Sequence, residues 1–218
     1  MMSPAFRSTA VCFGLAVSAA LWPVAASAQI QPASEAAPSV AAGSPTAPVS
    51  ALYAALGRVE HSSASFAERA RMLAPSIDNA FDLQTVLQNS VGLRYRTIPE
   101  AQKAELLNQF RQFTVARYVS NFAPGGNDTF TVDPAATPAA IPGEQIVHTH
   151  ITANGSTTDV NYVMRQTAAG WRVVDVLLNG NISQVAVQRA DFSSGLSSGD
   201  ASALIQSLKK KIAAFQGG

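Results

Sequence analysis

The stretch from Asp159 to Ser183, DVNYVMRQTAAGWRVVDVLLNGNIS, constrains the fold of this chain most. Val160, Tyr162 and Met164 alternate with Asp159, Asn161 and Arg165. Trp171, Val173 and Leu177 then fall opposite Arg172, Val174, Val176 and Leu178. A period of two is the signature of strands. The connection Thr167-Ala168-Ala169-Gly170 has the length that joins antiparallel neighbours, and Gly180 punctuates the exit, so the stretch reads as a β-hairpin. Its second strand is apolar on both faces. A strand with one face in water carries a polar face, so this reading requires cover on both sides, one by helix and the other by helix or a ligand.

The N-terminus suggests the compartment. Arg7 precedes an apolar run from Thr9 to Trp22, and Ala26-Ser27-Ala28 forms a small-x-small site ahead of Gln29. Residues 1–28 are expected to be a cleaved secretory signal. The run is shorter than the roughly 20 residues that span a bilayer. The single cysteine, Cys12, lies within it, so the exported chain brings no thiol for a disulfide, a zinc site or a cysteine nucleophile. The 218 residues carry a formal net charge of +1, and that small charge gives no argument for nucleic acid. Residues 29–48, mostly Ala, Ser, Pro and Gly with a single charge at Glu35, are expected to be a disordered tether, and 49–218 a single domain.

Within that domain Leu52, Ala55, Leu56 and Val59 have helical spacing. Ser65-Phe66-Ala67-Glu68 is a capping box that predicts a helix from Phe66 to about Asn79. Asp82 is placed to cap a third helix carrying Leu83, Val86, Leu87 and Val91, with Gly92 at its end. A second box, Thr97-Ile98-Pro99-Glu100, predicts a long helix to about Phe122, with Leu106, Phe110, Phe113 and Tyr118 in phase. Strand patterns follow at Thr129–Val132 and at 145–151, with a loop from Asp133 to Gly143 between them and an Asn154-Gly155 turn into the hairpin. The segment 182–190 fits either strand or helix, and Ala201 to Phe215 reads as a closing helix. Helices followed by about four mainly antiparallel strands give an α+β domain.

Few groups suggest chemistry. His148 and His150 share a strand face and could hold a metal with Asp159 or Glu144, or simply form the polar face of an edge strand. His61 falls in an interhelical loop. Asp175 shares a face with Trp171 and Val173, where apolar surroundings could make it a general base. The alternative is a buried ion pair with Arg165, Arg172, Arg94 or Arg96. No nucleophile elbow or phosphate-cradling glycine motif occurs. No catalytic residue, metal ligand set or cofactor is therefore expected. Arg94, Arg96, Arg111 and Arg117 could form a basic mouth or a solvated face. The apolar residues are more numerous: Phe81, Val86, Tyr95, Phe110, Phe113 and Tyr118 from the helices, and Val160, Tyr162, Met164, Val173, Val176 and Leu178 from the sheet, as a core or as the lining of a pocket.

The order of Phe81-Asp82-Leu83, Val91-Gly92, Arg94-Tyr95-Arg96 and Thr97-x-Pro99-Glu100, then Phe110 and Tyr118, then Trp171-Arg172-Val173-Val174-Asp175-Val176 running to Gly180 and Ser183, resembles the MlaC/toluene-tolerance family. That resemblance implies an α+β domain whose helices and curved sheet enclose an apolar cavity for lipid tails, with the head near the mouth. It makes the twelve apolar residues above the expected lining and Arg94 and Arg96 the expected headgroup contacts. It also implies a monomeric periplasmic shuttle for phospholipid, serving an inner-membrane ABC transporter complex of the MCE type and an outer-membrane lipoprotein or exporter. One departure is informative. Where the family pattern runs Asp-Val-x-x-Glu-Gly-Val-Ser, this chain has Asn179 for the Glu, and Asn181-Ile182 separates Gly180 from Ser183. With Val185-Ala186, Arg189 and Phe192 after it, the variant is similar to the hopanoid-associated HpnM branch, which makes a hopanoid the other expected cargo. The alternatives are a small cone-fold enzyme using Asp175, or an envelope adaptor that binds no lipid.

Overall fold

Local capping signals set the helical layer. The computed structural model describes residues 43–196 and 199–217, so the expected leader and the tether up to residue 42 lie outside the described residues. Helix α1 (Thr46–Glu60) starts inside the stretch expected to be tether, because Ser44 turns the chain by accepting from Thr46 N and Ala47 N. Helix α2 (Phe66–Ala80) has the expected capping box: Ser65 Oγ accepts from Glu68 N, and Glu68 Oε2 accepts from Ser65 N at 2.9 Å. Asp82 caps α3 (Leu83–Val91) by accepting from Thr85 N at 2.9 Å.

The second capping box does not form. Gly92, at φ 71°, leads into a 3-10 turn over Gly92–Thr97. Within it Thr97 Oγ1 donates to Arg94 O at 2.9 Å instead of accepting from a helix amide. Pro99 becomes the cap of α4 (Glu100–Asn121) and has no side-chain acceptor to offer its free amides. The ambiguous segment resolves into both structures: β7 (Ile182–Ser183), then α5 (Gln184–Ser193), with Ser183 capping α5. Helix α6 (Ser202–Gln216) closes the chain.

The sheet has seven strands where about four were expected: β1 (Thr129–Val132), β2 (Thr137–Pro138), β3 (Glu144–Val147), β4 (Thr149–Ala153), β5 (Ser156–Thr167), β6 (Gly170–Leu178) and β7. All the pairings are antiparallel. Strand β5 is the hub. Strands β3 and β4 lie end to end along one side of it, and β6 runs along the other. The single strand expected at 145–151 breaks at His148. There the ladder is replaced by side chains: Thr149 N donates to Asn161 Oδ1 at 3.4 Å, and Thr149 Oγ1 donates to Val160 O. Tyr53 of α1 bonds Thr149 Oγ1 at 2.6 Å, which ties the helical layer to the break. The expectation of a histidine-bearing edge strand is corrected, because β1 and β2 flank β4 and β3.

A bulge in β6 revises the hairpin. Val163 pairs with Asp175 but Met164 pairs with Val173, so Val174 is an extra residue and the parity of β6 flips there. Val173 before the bulge and Val176 and Leu178 after it therefore face the same way as Met164, Tyr162 and Val160. The strand looks apolar on both faces because one apolar face changes parity midway, so two-sided apolar cover is not required. Val174 is 3% exposed yet stands outside the main apolar cluster, which Val173, Val176 and Leu178 join.

Candidate functional site

The inner face of β4, β5 and β6, with α3, α4 and the start of α5, surrounds a cavity of about 290 Å³. That is near the lower end of the roughly 300–1,000 Å³ usual for small-molecule sites. Of the expected lining residues, Phe81, Val86, Phe110, Phe113, Tyr118, Val160, Tyr162, Val176 and Leu178 border it, joined by Leu83, Phe122, Ile151 and Val185. Met164 and Val173 are wholly buried in the solid core beside it. Tyr95 is buried elsewhere, its hydroxyl accepting from Gln84 Nε2 at 2.8 Å, and it borders a separate groove.

Aromatic rings form one wall. Phe81 meets Tyr118 edge-on at 5.9 Å and Tyr162 at 6.5 Å, while Tyr118 stacks on Phe122 at 6.4 Å. These contacts make a stiff apolar surface at small side-chain entropy cost. Burial raises the phenol pKa of Tyr118 and Tyr162 well above the ordinary value, so the wall carries no charge at neutral pH. The parallel bridge between Phe81 and Val173, with Asp82 N donating to Val173 O at 3.0 Å, locks the α2–α3 junction onto β6.

Polar groups interrupt the apolar lining: Arg117 and Asn121 of α4, Thr158 of β5, Asp175 of β6, and Gln184 and Gln188 of α5. Arg117 Nη2 donates to Gln184 Oε1 at 3.0 Å, and Ser90 Oγ donates to Gln188 Oε1 at 2.9 Å. The two arginines expected to meet a headgroup, Arg94 and Arg96, do not border this cavity; they line the groove on the other side of the α3–α5 seam. Arg111 is held by Asp78 in two bonds of 2.6 Å. Of the four arginines read as a possible mouth, Arg117 alone reaches the cavity. Sequence reasoning missed Gln184 and Gln188. Their spacing of four beside Val185 is a helical face, a signal hidden while 182–190 stayed ambiguous.

Asp175 has neither expected role as an ion-pair partner nor the freedom of a base. Its Oδ1 accepts from Val176 N at 2.7 Å and Val185 N at 3.1 Å, and its Oδ2 accepts from Ser183 Oγ at 2.5 Å. Both oxygens are engaged in fixing the first turn of α5, where a carboxylate also meets the positive end of the helix dipole. The arginines proposed as its partners are elsewhere: Arg165 bonds Glu144 Oε1 at 2.9 and 2.6 Å, and Arg172 Nη1 donates to Trp171 O at 3.2 Å. The histidines are also occupied. His148 Nε2 bonds Thr137 Oγ1 at 2.8 Å and His150 Nδ1 bonds Asp159 Oδ1 at 2.8 Å. Among the described residues no three His, Cys, Asp or Glu side chains are grouped to hold a metal ion.

No curated protein matches the sequence. Among solved structures, the fold is similar to that of a phospholipid-binding protein from Ralstonia solanacearum in complex with a phospholipid. The TM-score is 0.67 at 18% identity, over 79% of this chain and 98% of that one. An α+β domain with a helical layer on an antiparallel sheet is thus shared by two chains of low identity. A model of the MlaC protein family matches residues 50–210, from α1 through the whole sheet into α6, and the chain therefore belongs to the MlaC family.

Proposed function

We propose that this protein is a periplasmic lipid shuttle of an ABC-type lipid-transport system that encloses the tails of a phospholipid or a hopanoid while carrying it between membranes. The observation that carries the reading is the cavity of about 290 Å³, walled by aromatic and aliphatic side chains, with the bonded pair Arg117 and Gln184 at its border. Each methylene transferred from water into such a space is worth about 0.8 kcal/mol. The wall holds a tail by area alone, which suits a carrier that must also let go. Family membership, and the phospholipid held by the structurally similar Ralstonia protein, support a lipid as the cargo. The Asn179 variant supports the hopanoid-associated branch, and the apolar run from Thr9 to Trp22 ahead of Ala26-Ser27-Ala28 supports the periplasm. A non-enzymatic role is supported by Asp175, whose oxygens are taken up by the α5 cap. In this reading Arg117, rather than Arg94 or Arg96, is the cation nearest the lipid's polar end.

The test is organic extraction and mass spectrometry of lipid co-purifying with the protein from its native host, alongside a Val176→Phe variant that fills the cavity. Stoichiometric lipid that is lost from the folded variant supports the shuttle and names its cargo. Lipid retained at the same level in the filled variant removes the cavity from the reading, and an empty wild-type protein favours the adaptor.

A further inference from the structure

The later half of α5 forms an open groove with the end of α3 and the 3-10 turn, separate from the cavity and bordered by Asn89, Leu93, Arg94, Arg96 and Arg189. Its charged side chains are of one sign. Arg189 donates to Asn89 O from Nε and Nη2 at 2.9 and 2.7 Å, and Arg94 Nη1 donates to the carbonyls of Ser193 and Leu196 at 3.2 and 2.9 Å. These bonds fix the guanidiniums over backbone oxygens without neutralising them. Among the described residues no carboxylate forms an ion pair with Arg94, Arg96 or Arg189, whereas Arg111 and Arg165 each lie 2.6 Å from one. Beside the arginines is Leu93, 82% exposed, the most exposed large apolar side chain among the described residues. It is displayed by a braced turn: Gly92 at φ 71° starts it, Tyr95 is buried beneath it, and Thr97 Oγ1 closes onto Arg94 O.

We infer that this groove docks the protein on an anionic membrane surface, the three guanidiniums meeting lipid phosphodiesters and Leu93 entering the acyl boundary. A cationic surface with a shallow apolar anchor is what an interfacial membrane contact requires. A protein partner of standard size would need about 800 Å² on each side with an apolar centre, and in this groove Leu93 is the one strongly exposed apolar side chain. Near an anionic surface each arginine strengthens binding about fivefold, and three together about a hundredfold, which gives weak, reversible attachment.

The test is sedimentation of the purified protein with vesicles of phosphatidylcholine alone and of phosphatidylcholine and phosphatidylglycerol in equal parts. Binding is expected on the anionic vesicles only, weakening as salt shortens the Debye length from about 10 Å at 0.1 M to about 3 Å at 1 M. Arg96, for which no side-chain bond is found among the described residues, is the clean position. Arg96→Glu should keep the wild-type melting temperature and lower vesicle binding about tenfold or more. Lys210→Glu makes the same change in net charge at an exposed position of α6 and should stay within about twofold of wild type. Leu93→Ser should weaken binding to the anionic vesicles without changing its salt dependence. Equal binding to both vesicle types, equal losses in Arg96→Glu and Lys210→Glu, or no sedimentation at all would overturn the inference. So would binding of a polyglutamate peptide, sensitive to Arg96→Glu, in a protein that ignores vesicles; that result would assign the groove to an acidic protein partner. Docking depends on the groove, and lipid carriage on the cavity. Co-purifying lipid without vesicle binding sinks this inference alone, and vesicle binding by a protein that carries no lipid sinks the shuttle alone.

Discussion

Replacing Val176 with Phe puts a ring where β6 faces the cavity, and its effect on stability depends on whether that space is open. Val176 is half-buried, pairs with Tyr162 across β5 and borders the space of about 290 Å³. If the ring enters open space, it removes roughly 50 Å² of further apolar surface from water, which at about 25 cal/mol per Å² is a gain near 1 kcal/mol. If the position faces a filled core, the added atoms force neighbours off their rotamers at about 1–3 kcal/mol. The two cases differ in sign, so urea unfolding separates them. The expected result is a midpoint equal to or above wild type with an unchanged slope, together with loss of co-purifying lipid by mass spectrometry. A variant destabilised by 1 kcal/mol or more that still carries lipid refutes both the open cavity and its use.

Asp175→Ala should cost about 1–2 kcal/mol, because Ser183 Oγ, Val176 N and Val185 N lose their acceptor. The loss should be seen in thermal melts and in faster amide exchange through α5, and a change under 0.5 kcal/mol would remove the carboxylate from the cap. Tyr53, Tyr118 and Tyr162 all have pKa values raised mainly by burial. Their contribution is fully present below the unfolded-state value near 10 and is lost as pH climbs above it, at up to about 1.4 kcal/mol per pH unit for each tyrosine. Melting temperature should therefore fall above about pH 10, and the fall should shrink in Tyr118→Phe; an unchanged slope in that variant would contradict the assignment. Gly126→Ala would drive a Cβ into Glu60 Oε1, and that carboxylate is 1% exposed and holds Asp128 N at 3.1 Å. A loss of about 1–3 kcal/mol in chemical denaturation is expected, and a neutral substitution would show that the loop after α4 yields freely.

Features that depend on neighbouring residues were legible in the sequence. Ser65 and Glu68, and Asp82 with Thr85, satisfy free helix amides three residues away, so the pattern and the bond are nearly the same fact. Asn154-Gly155 is likewise a turn because both residues adopt positive φ, at 50° and 76°, and Asn179-Gly180 repeats the device at 50° and 78°. The left-handed backbone gives a physical reason for Asn at position 179, since Asn tolerates that region better than most residues. Thr97 shows the limit of local reading: its motif is a capping box, but the 3-10 turn before it claims the hydroxyl.

What the sequence determined by itself was the α+β order, the helix starts, the hairpin and the set of apolar residues from which a core or cavity could be built. Each depends on periodicity or on contacts a few residues apart. The tertiary structure decided which of those residues stand apart as a cavity wall and which close up as core. Met164 and Val173 have the same apolar character as Val160 and Val176, and only the packing of helix against sheet separates them. It also decided that Arg117 and not Arg94 or Arg96 borders the cavity, and that Asp175 caps a helix, because these depend on how α4 and α5 are placed against β6. The bulge at Val174 is a plain case of the difference. Alternation in sequence counts residues, whereas a sheet face is defined by register with the neighbouring strand, and one unpaired residue in β6 turned what read as two apolar faces into one.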